Sequence, residues 1–344
     1  MTNLEYDNPF SPSNLEPTGN VGEDILEMTS DALAIAGITT AADLQIISTT
    51  AHAVLSDNQS TIVKVPFVDS PIAYRVTREY ESLNAFEIFR KFPPDFLPIA
   101  DLQPRTAELA DGRTALVTNY LGEIVSSQAI TEDMATSWAL AVGDLHRFPL
   151  MPPYFNQHLM DRLLALGKYH DSQQRKYGSL PEDNNMRRMA QPLSDNLMNG
   201  LGTSPAKILR TPLPYDPPRR LGSITHGDLN MRNFVVDSAG KLSLIDWEAC
   251  YLGPPEADIA LMALDCHVTG RRDLWPTILD VVKQYKDMGS PLTFDWCFRA
   301  NLASSIAHVA WKGDEAGLEV RANIYEDYVA GGPEWLIGDF NQYY

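Results

Sequence analysis

The segment ITHGDLNMRNFVVD, residues 224–237, sets His226, Asp228, Asn230, Arg232 and Asn233 between two apolar, β-prone ends. Thirteen residues after Asn233, the run LIDWE brings Asp246. The turn-forming DSAG separates the two apolar runs, so a hairpin is expected to carry Asp228, Asn233 and Asp246 to one end of two strands. Three oxygen ligands facing one point suit a hard cation. Magnesium prefers oxygen, keeps several waters, and takes one or two carboxylates together with substrate phosphates. The ordinary use of such residues is a polar turn in which Asx side chains cap backbone groups. That use accounts for any one of them and not for the ordered set.

Phosphoryl transfer needs charge neutralisation and positioning more than covalent chemistry. The arrangement recurrent in kinases has a loop Asp that orients the acceptor hydroxyl, an Asn that holds magnesium, and a second metal-binding Asp. It adds a strand Lys paired with a helical Glu. This chain supplies all of these in order, with Lys64 in TIVKV and Glu79 opening a helix in REYESL. Lys64 alone would read as a solvated strand residue.

At these residues the sequence resembles the aminoglycoside phosphotransferase and choline kinase family, whose fold is like that of protein kinases. The resemblance rests on VKV, REYESL, VTNYLGE, LHRFP, HGDLNMRNFVVD and LIDWEACYLGPPEADIA, and covers about residues 45–265. It implies ATP and magnesium as cofactors and a small-molecule alcohol as acceptor. It also implies that Asp228 is the catalytic Asp, that Asn233 and Asp246 bind magnesium, that Lys64 contacts the nucleotide phosphates, and that Glu79 holds Lys64. Backbone groups of Asn119, Tyr120 and Leu121 would meet the adenine, and Asp258 would brace the catalytic loop.

Two departures stand out. Family members usually carry a glycine in the loop between the first two strands, whereas ISTTAHAVL has none, leaving Ser48, Thr49 and Thr50 as hydrogen-bond donors there. Asn230, Met231 and Arg232 stand where the family commonly has His-Pro-Gly. Arg232 either touches the transferred phosphate or pairs with a neighbouring carboxylate. Glu248 either faces the acceptor or a metal, or bonds backbone. Asp265, Asp314 and Glu315 are candidate acceptor contacts, His226 reads as a structural histidine bonding the loop, and His146 as helix-end packing. The aromatics Trp275, Trp296, Trp311, Tyr325 and Trp335 suit either a cage for a cationic group or the packing of helices.

The elements that must position these residues follow from periodicity. Residues 1–40 are expected to form an arm and a helix stopped at Gly37. Residues 41–121 are expected to form a lobe that the resemblance makes nucleotide-binding. In it two β-prone runs joined by SDNQS end in the strand of Lys64, a helix follows over REYESLNAFEIFRKF, and the strand TALVTNYLGE breaks at Gly122. Residues 122–344 are expected to form a lobe that opens with a helix capped by Thr131 and continues mostly helical, which the resemblance makes the catalytic and acceptor-binding one. Taken with these elements, the resemblance implies an α+β fold class, a bilobal protein-kinase-like fold with a small antiparallel β lobe carrying one main helix and a larger, mostly helical C-terminal lobe.

The formal net charge of -18 opposes nucleic-acid or anionic-membrane partners and favours a cationic acceptor such as an amino alcohol, amino sugar or antibiotic, beside its plain use as a soluble surface. The first cation in the chain is Lys64, after nine acidic residues. Three widely spaced cysteines without a C-x-x-C argue against a disulfide framework or zinc site. No apolar run spans a membrane and no secretory signal is visible, so a cytoplasmic location is expected. The oligomeric state is not encoded in these motifs. A catalytically silent nucleotide-binding scaffold, supported by the glycine-free loop, and a protein kinase, opposed by DWE in place of Asp-Phe-Gly, are the competing readings.

Overall fold

Alternation along the strand TIVKV decides which way Lys64 points: Thr61, Val63 and Val65 are buried while Ile62 and Lys64 are less so. Successive strand residues face opposite sides of a sheet, so Lys64 is turned away from the side that Val63 and Val65 cover. The computed structural model describes residues 21–40, 42–48, 52–67, 76–77, 79–80, 83, 103–147, 184–199, 223–285 and 291–338. The chain divides into two compact units, one of residues 1–123 and 235–249, the other of residues 124–234 and 250–344.

The first unit contains helix α1 (Val21–Ile35) and strands β1 (Gln45–Ser48), β2 (Ala53–Ser56), β3 (Thr61–Val65), β4 (Arg105–Glu108) and β5 (Thr114–Asn119). They form one antiparallel sheet in the order β1-β2-β3-β5-β4. Ile25, Ala32 and Leu33 of α1 pack in a single core cluster with Leu55, Val63, Val65, Ala107 and Val117. Each Val, Leu or Ile side chain among them contributes roughly 1.5–3 kcal/mol by leaving water. The helix stops as expected at Gly37, whose φ of 68° is a left-handed conformation that glycine adopts without strain.

The first β-prone run supplies β1 and β2, paired antiparallel with Ile46 opposite Leu55 and a register shift between Ile46 and Ser48. The polar Ser-Thr-Thr interrupts its apolar pattern there. The SDNQS turn forms as expected, because Asp57 Oδ1 accepts hydrogen bonds from the backbone N–H of Gln59, Ser60 and Thr61 at 3.0, 2.8 and 2.8 Å. Helical backbone is described at residues 76, 77, 79, 80 and 83, and the rest of the expected helix over REYESLNAFEIFRKF lies outside the described residues.

Beyond β5 the chain breaks at Gly122 before the short strand β6 (Glu123–Ile124). Gly122 has φ 135°, and a Cβ there would sit 2.3 Å from the Val236 carbonyl oxygen. Only glycine fits. The hairpin of β8 (Phe234–Val236) and β9 (Leu242–Leu244) closes through Asp237, which accepts from the N–H groups of Ala239 and Lys241 at 2.8 Å each.

The second unit is mostly helical. Its helices are α2 (Glu132–Arg147), α3 (Asn185–Asn199), α4 (Glu256–Val268), α5 (Trp275–Tyr285), α6 (Pro291–Lys312), α7 (Glu315–Gly331) and α8 (Glu334–Ile337), with β7 (Ser223–Thr225) paired antiparallel to β10 (Tyr251–Gly253). Thr131 caps α2 as expected, its Oγ1 accepting from Met134 N–H at 3.2 Å. Phe294, Phe298, Leu302 and Ile306, spaced four apart on α6, are fully buried, and both α3 and α4 pack on this helix. Among the described residues no helix is long and apolar enough to cross a membrane.

Candidate active site

In the first unit, Lys64 sits on β3 and Glu79 in the helical segment beyond it, while Asp246 follows β9. Lys64 Nζ lies 2.6 Å from Glu79 Oε2 and 2.6 Å from Asp246 Oδ1. The other Glu79 oxygen accepts from the Trp247 N–H at 3.2 Å, so one carboxylate fixes both the lysine and the backbone after Asp246. Asp246 itself has φ 65°, a conformation uncommon outside glycine and characteristic of constrained functional positions. Trp247 is fully buried and holds the same turn by donating Nε1–H to the Leu244 carbonyl at 3.0 Å.

Burial alone would lower the Lys64 ammonium, but the two adjoining carboxylates outweigh it and keep the amine protonated well above its ordinary range. Burial raises the Glu79 carboxyl, and the charges of Asp246 and Glu248 add to this against the pull of Lys64. Glu248 is half-buried and lies within electrostatic reach of Glu79.

In the second unit the loop from His226 to Asn233 joins β7 to β8. Asp258, fully buried on α4, accepts the backbone N–H of His226 on Oδ2 at 2.7 Å and that of Gly227 on Oδ1 at 2.9 Å, with His146 Nε2 3.1 Å from Oδ2. A buried carboxylate is tolerated where its oxygens are satisfied in this way. Gly227, at φ 80°, lets the chain turn immediately before Asp228. Asn233 Nδ2 then reaches back to the Asp228 carbonyl at 2.8 Å and to Asp228 Oδ2 at 3.0 Å. Asn230 Nδ2 approaches Asp228 Oδ1 at 3.2 Å. The Asp228 carboxylate is thus fixed on both oxygens by amides within its own loop.

Asp265 lies farther along α4 and accepts the Met231 N–H at 2.7 Å. Burial pushes its carboxyl up to about 6, and Asp228 adds to this against the Met231 hydrogen bond and the charges of Arg232 and Arg321. Arg232 is exposed, its charge felt at Asp265. Asp314 accepts Gly317 N–H at 2.8 Å as the cap of α7. Trp275 and Trp296 are buried, the first stacked on Phe294, and Trp335 packs against His267.

Among the candidates read from the sequence, Lys64 contacts both Glu79 and Asp246 in one unit. Asp228, Asn233, His226, Asp258 and Asp265 are gathered around one loop in the other. Ser48 ends β1, Thr49 and Thr50 lie outside the described residues, and Asn119 ends β5 with Tyr120 and Leu121 directly after it. Two partners escaped the sequence reading. Asn230 reads only as a departure from the family's His-Pro-Gly, although its amide reaches the Asp228 carboxylate, and His146 reads as helix-end packing, although its ring reaches Asp258 across 112 residues of chain.

Among the described residues no group of three or more His, Cys, Asp or Glu side chains forms a metal site. Magnesium does not need one, since it combines one or two protein oxygens with phosphate oxygens and water. The Asp246 carboxylate and the Asn233 amide oxygen are donors of that kind, and an ammonium already rests on Asp246.

The sequence model of the phosphotransferase enzyme family (APH) matches residues 47–295. No curated protein matches the chain in sequence. Among solved structures, the GDP complex of aminoglycoside 2'-phosphotransferase-IIIa is similar with a TM-score of 0.56 at 14% identity, covering 89% of this chain and 98% of that one. Aminoglycoside phosphotransferase APH(3'')-Id from Streptomyces rimosus has a TM-score of 0.56 at 18% identity, over 81% of this chain and 98% of that one. Choline kinase LicA from Streptococcus pneumoniae has a TM-score of 0.57 at 14% identity, over 90% of this chain and 99% of that one. The fold is therefore the α+β, protein-kinase-like fold that the sequence led us to expect.

Proposed function

Because the chain belongs to the phosphotransferase enzyme family, we propose that it moves the γ-phosphoryl group of ATP to a hydroxyl of a small molecule. The observation that carries this reading is the convergence of Lys64, Glu79 and Asp246, far apart in sequence, with Lys64 Nζ 2.6 Å from both carboxylates. Lys64, held by Glu79, supplies positive charge to the nucleotide phosphates. Asp228 orients the acceptor hydroxyl and takes its proton as the new P–O bond forms and the bond to the nucleoside diphosphate breaks. Asn233 and Asp246 would hold magnesium, which supplies neutralisation of the phosphate charge when bound. Backbone groups of Asn119, Tyr120 and Leu121 receive the base, and Ser48, Thr49 and Thr50 stand in for the missing loop glycine.

The acceptor we favour is an amine-bearing alcohol, such as an amino sugar, an aminoglycoside-like antibiotic or a choline-like metabolite, in the cytoplasm. The net charge of -18 attracts cations, and similar structures carry aminoglycoside, streptomycin and choline in their names. The donor is to be tested as both ATP and GTP, since one of those structures holds GDP and another ADP.

The test is magnesium-dependent consumption of each nucleotide against a panel of amino alcohols, amino sugars, nucleosides and antibiotics, with Asp228→Ala beside the wild type. An amine-bearing alcohol should be phosphorylated, and turnover should fall in the variant by on the order of a hundredfold to a thousandfold or more. Near-normal turnover in the variant would overturn the catalytic assignment. Turnover of neutral or anionic alcohols alone would overturn the cationic acceptor. Silence, together with no magnesium-dependent ATP binding by calorimetry, would leave a nucleotide-free scaffold.

A further inference from the structure

We propose that Asp265 is a positioning residue that holds the middle of the 226–233 loop, and with it Asp228, in register on helix α4. The inference rests on the reading of Asp228 as catalytic and assigns Asp265 a task other than direct contact with the acceptor.

Asp258 and Asp265 are seven residues apart on α4 and Thr269 four beyond, a spacing that returns to the same face of a helix. That face meets the loop three times. Asp258 takes the N–H groups of His226 and Gly227 at the loop's start, at 2.7 and 2.9 Å. Asp265 takes the Met231 N–H at 2.7 Å, and the Thr269 hydroxyl lies 3.6 Å from the Met231 sulfur. Met231 is 1% exposed, so its side chain is committed to the interior. A backbone N–H beside so buried a side chain needs an acceptor, and Asp265 provides it. Between the two aspartate anchors lies Asp228, whose carboxylate is tied to Asn230 and Asn233 on either side of Met231. Releasing Met231 therefore loosens the two amides that hold the Asp228 oxygens. The groups that bear electrostatically on Asp265 are Arg232, Arg321 and Asp228.

The test uses the full-length protein with its methionine amides isotope-labelled, the Met231 signal being identified by its loss in Met231→Leu. In Asp265→Ala the Met231 amide should exchange with solvent about tenfold faster or more, the expected consequence of one lost hydrogen bond. In Asp265→Asn, whose carbonyl oxygen still accepts, exchange should stay close to wild type. Hydrolysis of magnesium-ATP with water as acceptor should show the same pattern. Its kcat should drop about 10- to 100-fold in the alanine variant at unchanged KM, and the asparagine variant should restore it. Asp265→Ser, too short to reach Met231, repeats the loss if the alanine variant does not fold. An unchanged Met231 exchange rate in the alanine or serine variant, or an asparagine variant as impaired as alanine, overturns the proposal. Asp228→Ala separates the two readings, because it should abolish turnover with the Met231 amide still protected. Retained turnover in that variant defeats the catalytic assignment, while the exchange measurement still judges the brace.

Discussion

Lys64 Nζ is as close to Asp246 Oδ1 as to Glu79 Oε2, 2.6 Å in each case, so one ammonium neutralises two carboxylates that otherwise repel each other. Glu79 is 3% exposed and cannot be screened by water. Removing one partner from a buried charge cluster costs about 3–5 kcal/mol, and the partial exposure of Asp246 puts Lys64→Ala at the lower end. Thermal unfolding should show the loss. If Asp246 takes magnesium as proposed, magnesium should restore more stability to this variant than to the wild type, the metal replacing the missing cation. Equal magnesium shifts in the two proteins would show that Asp246 does not take the metal.

What could be read ahead of the structure was whatever is written in local chemistry. The cap at Thr131, the stop at Gly37 and the Asp237 turn of the β8–β9 hairpin each depend on residues a few positions apart, and each formed where expected. The pairing of β7 with β10 was not legible. Both strands are three residues long and are separated in sequence by the 226–233 loop and the β8–β9 hairpin, so no alternation has room to develop. The contact of His146 with Asp258 failed to register for a related reason: helical spacing reports which face is buried and not which polar atom waits there. Met231 illustrates the same limit, since an apolar residue in a polar loop gives no sign that its backbone N–H is the group held.

Asp57 should make the first sheet acid-sensitive. Burial would raise its carboxyl, but the Ser60 hydroxyl at 2.5 Å and the N–H groups of residues 59–61 hold it well below the usual carboxylate range. A depressed folded value contributes stability that is present above the unfolded value of 3.8 and is lost as pH falls through the folded one. Asp57→Asn should therefore be less stable than wild type by about 1–3 kcal/mol near neutral pH. The gap should narrow as pH is lowered below 3.8. Urea unfolding across that range checks it, and a gap independent of pH would mean that the charge of Asp57 is irrelevant to the turn.

Gly122→Ala should be among the more damaging single-methyl changes in this chain. The new Cβ would fall 2.3 Å from the Val236 carbonyl oxygen, and that atom is backbone that cannot rotate aside. The φ of 135° adds strain of its own for any residue with a side chain. Together these predict a loss of about 2–4 kcal/mol. Because Gly122 follows Asn119, Tyr120 and Leu121, nucleotide affinity measured by calorimetry should weaken too. A variant with wild-type unfolding and wild-type affinity would contradict both steps.

The elevated Asp265 carboxyl predicts a pH dependence of opposite sign to that of Asp57. Its folded value of about 6 exceeds the unfolded 3.8, so the neutral form is favoured in the folded protein. Its stabilising contribution is complete below 3.8 and disappears as pH rises through about 6. Asparagine never ionises and accepts the Met231 N–H at every pH. Asp265→Asn should thus gain on wild type as pH rises across that interval, by no more than about 3 kcal/mol. Urea unfolding of the nucleotide-free and metal-free proteins from about pH 4 to pH 7 provides the measurement. Should wild type instead gain on the variant over that range, the Asp265 carboxylate would be better paired with Arg232 and Arg321 than its burial allows, and its hold on Met231 would be that of a charged acceptor.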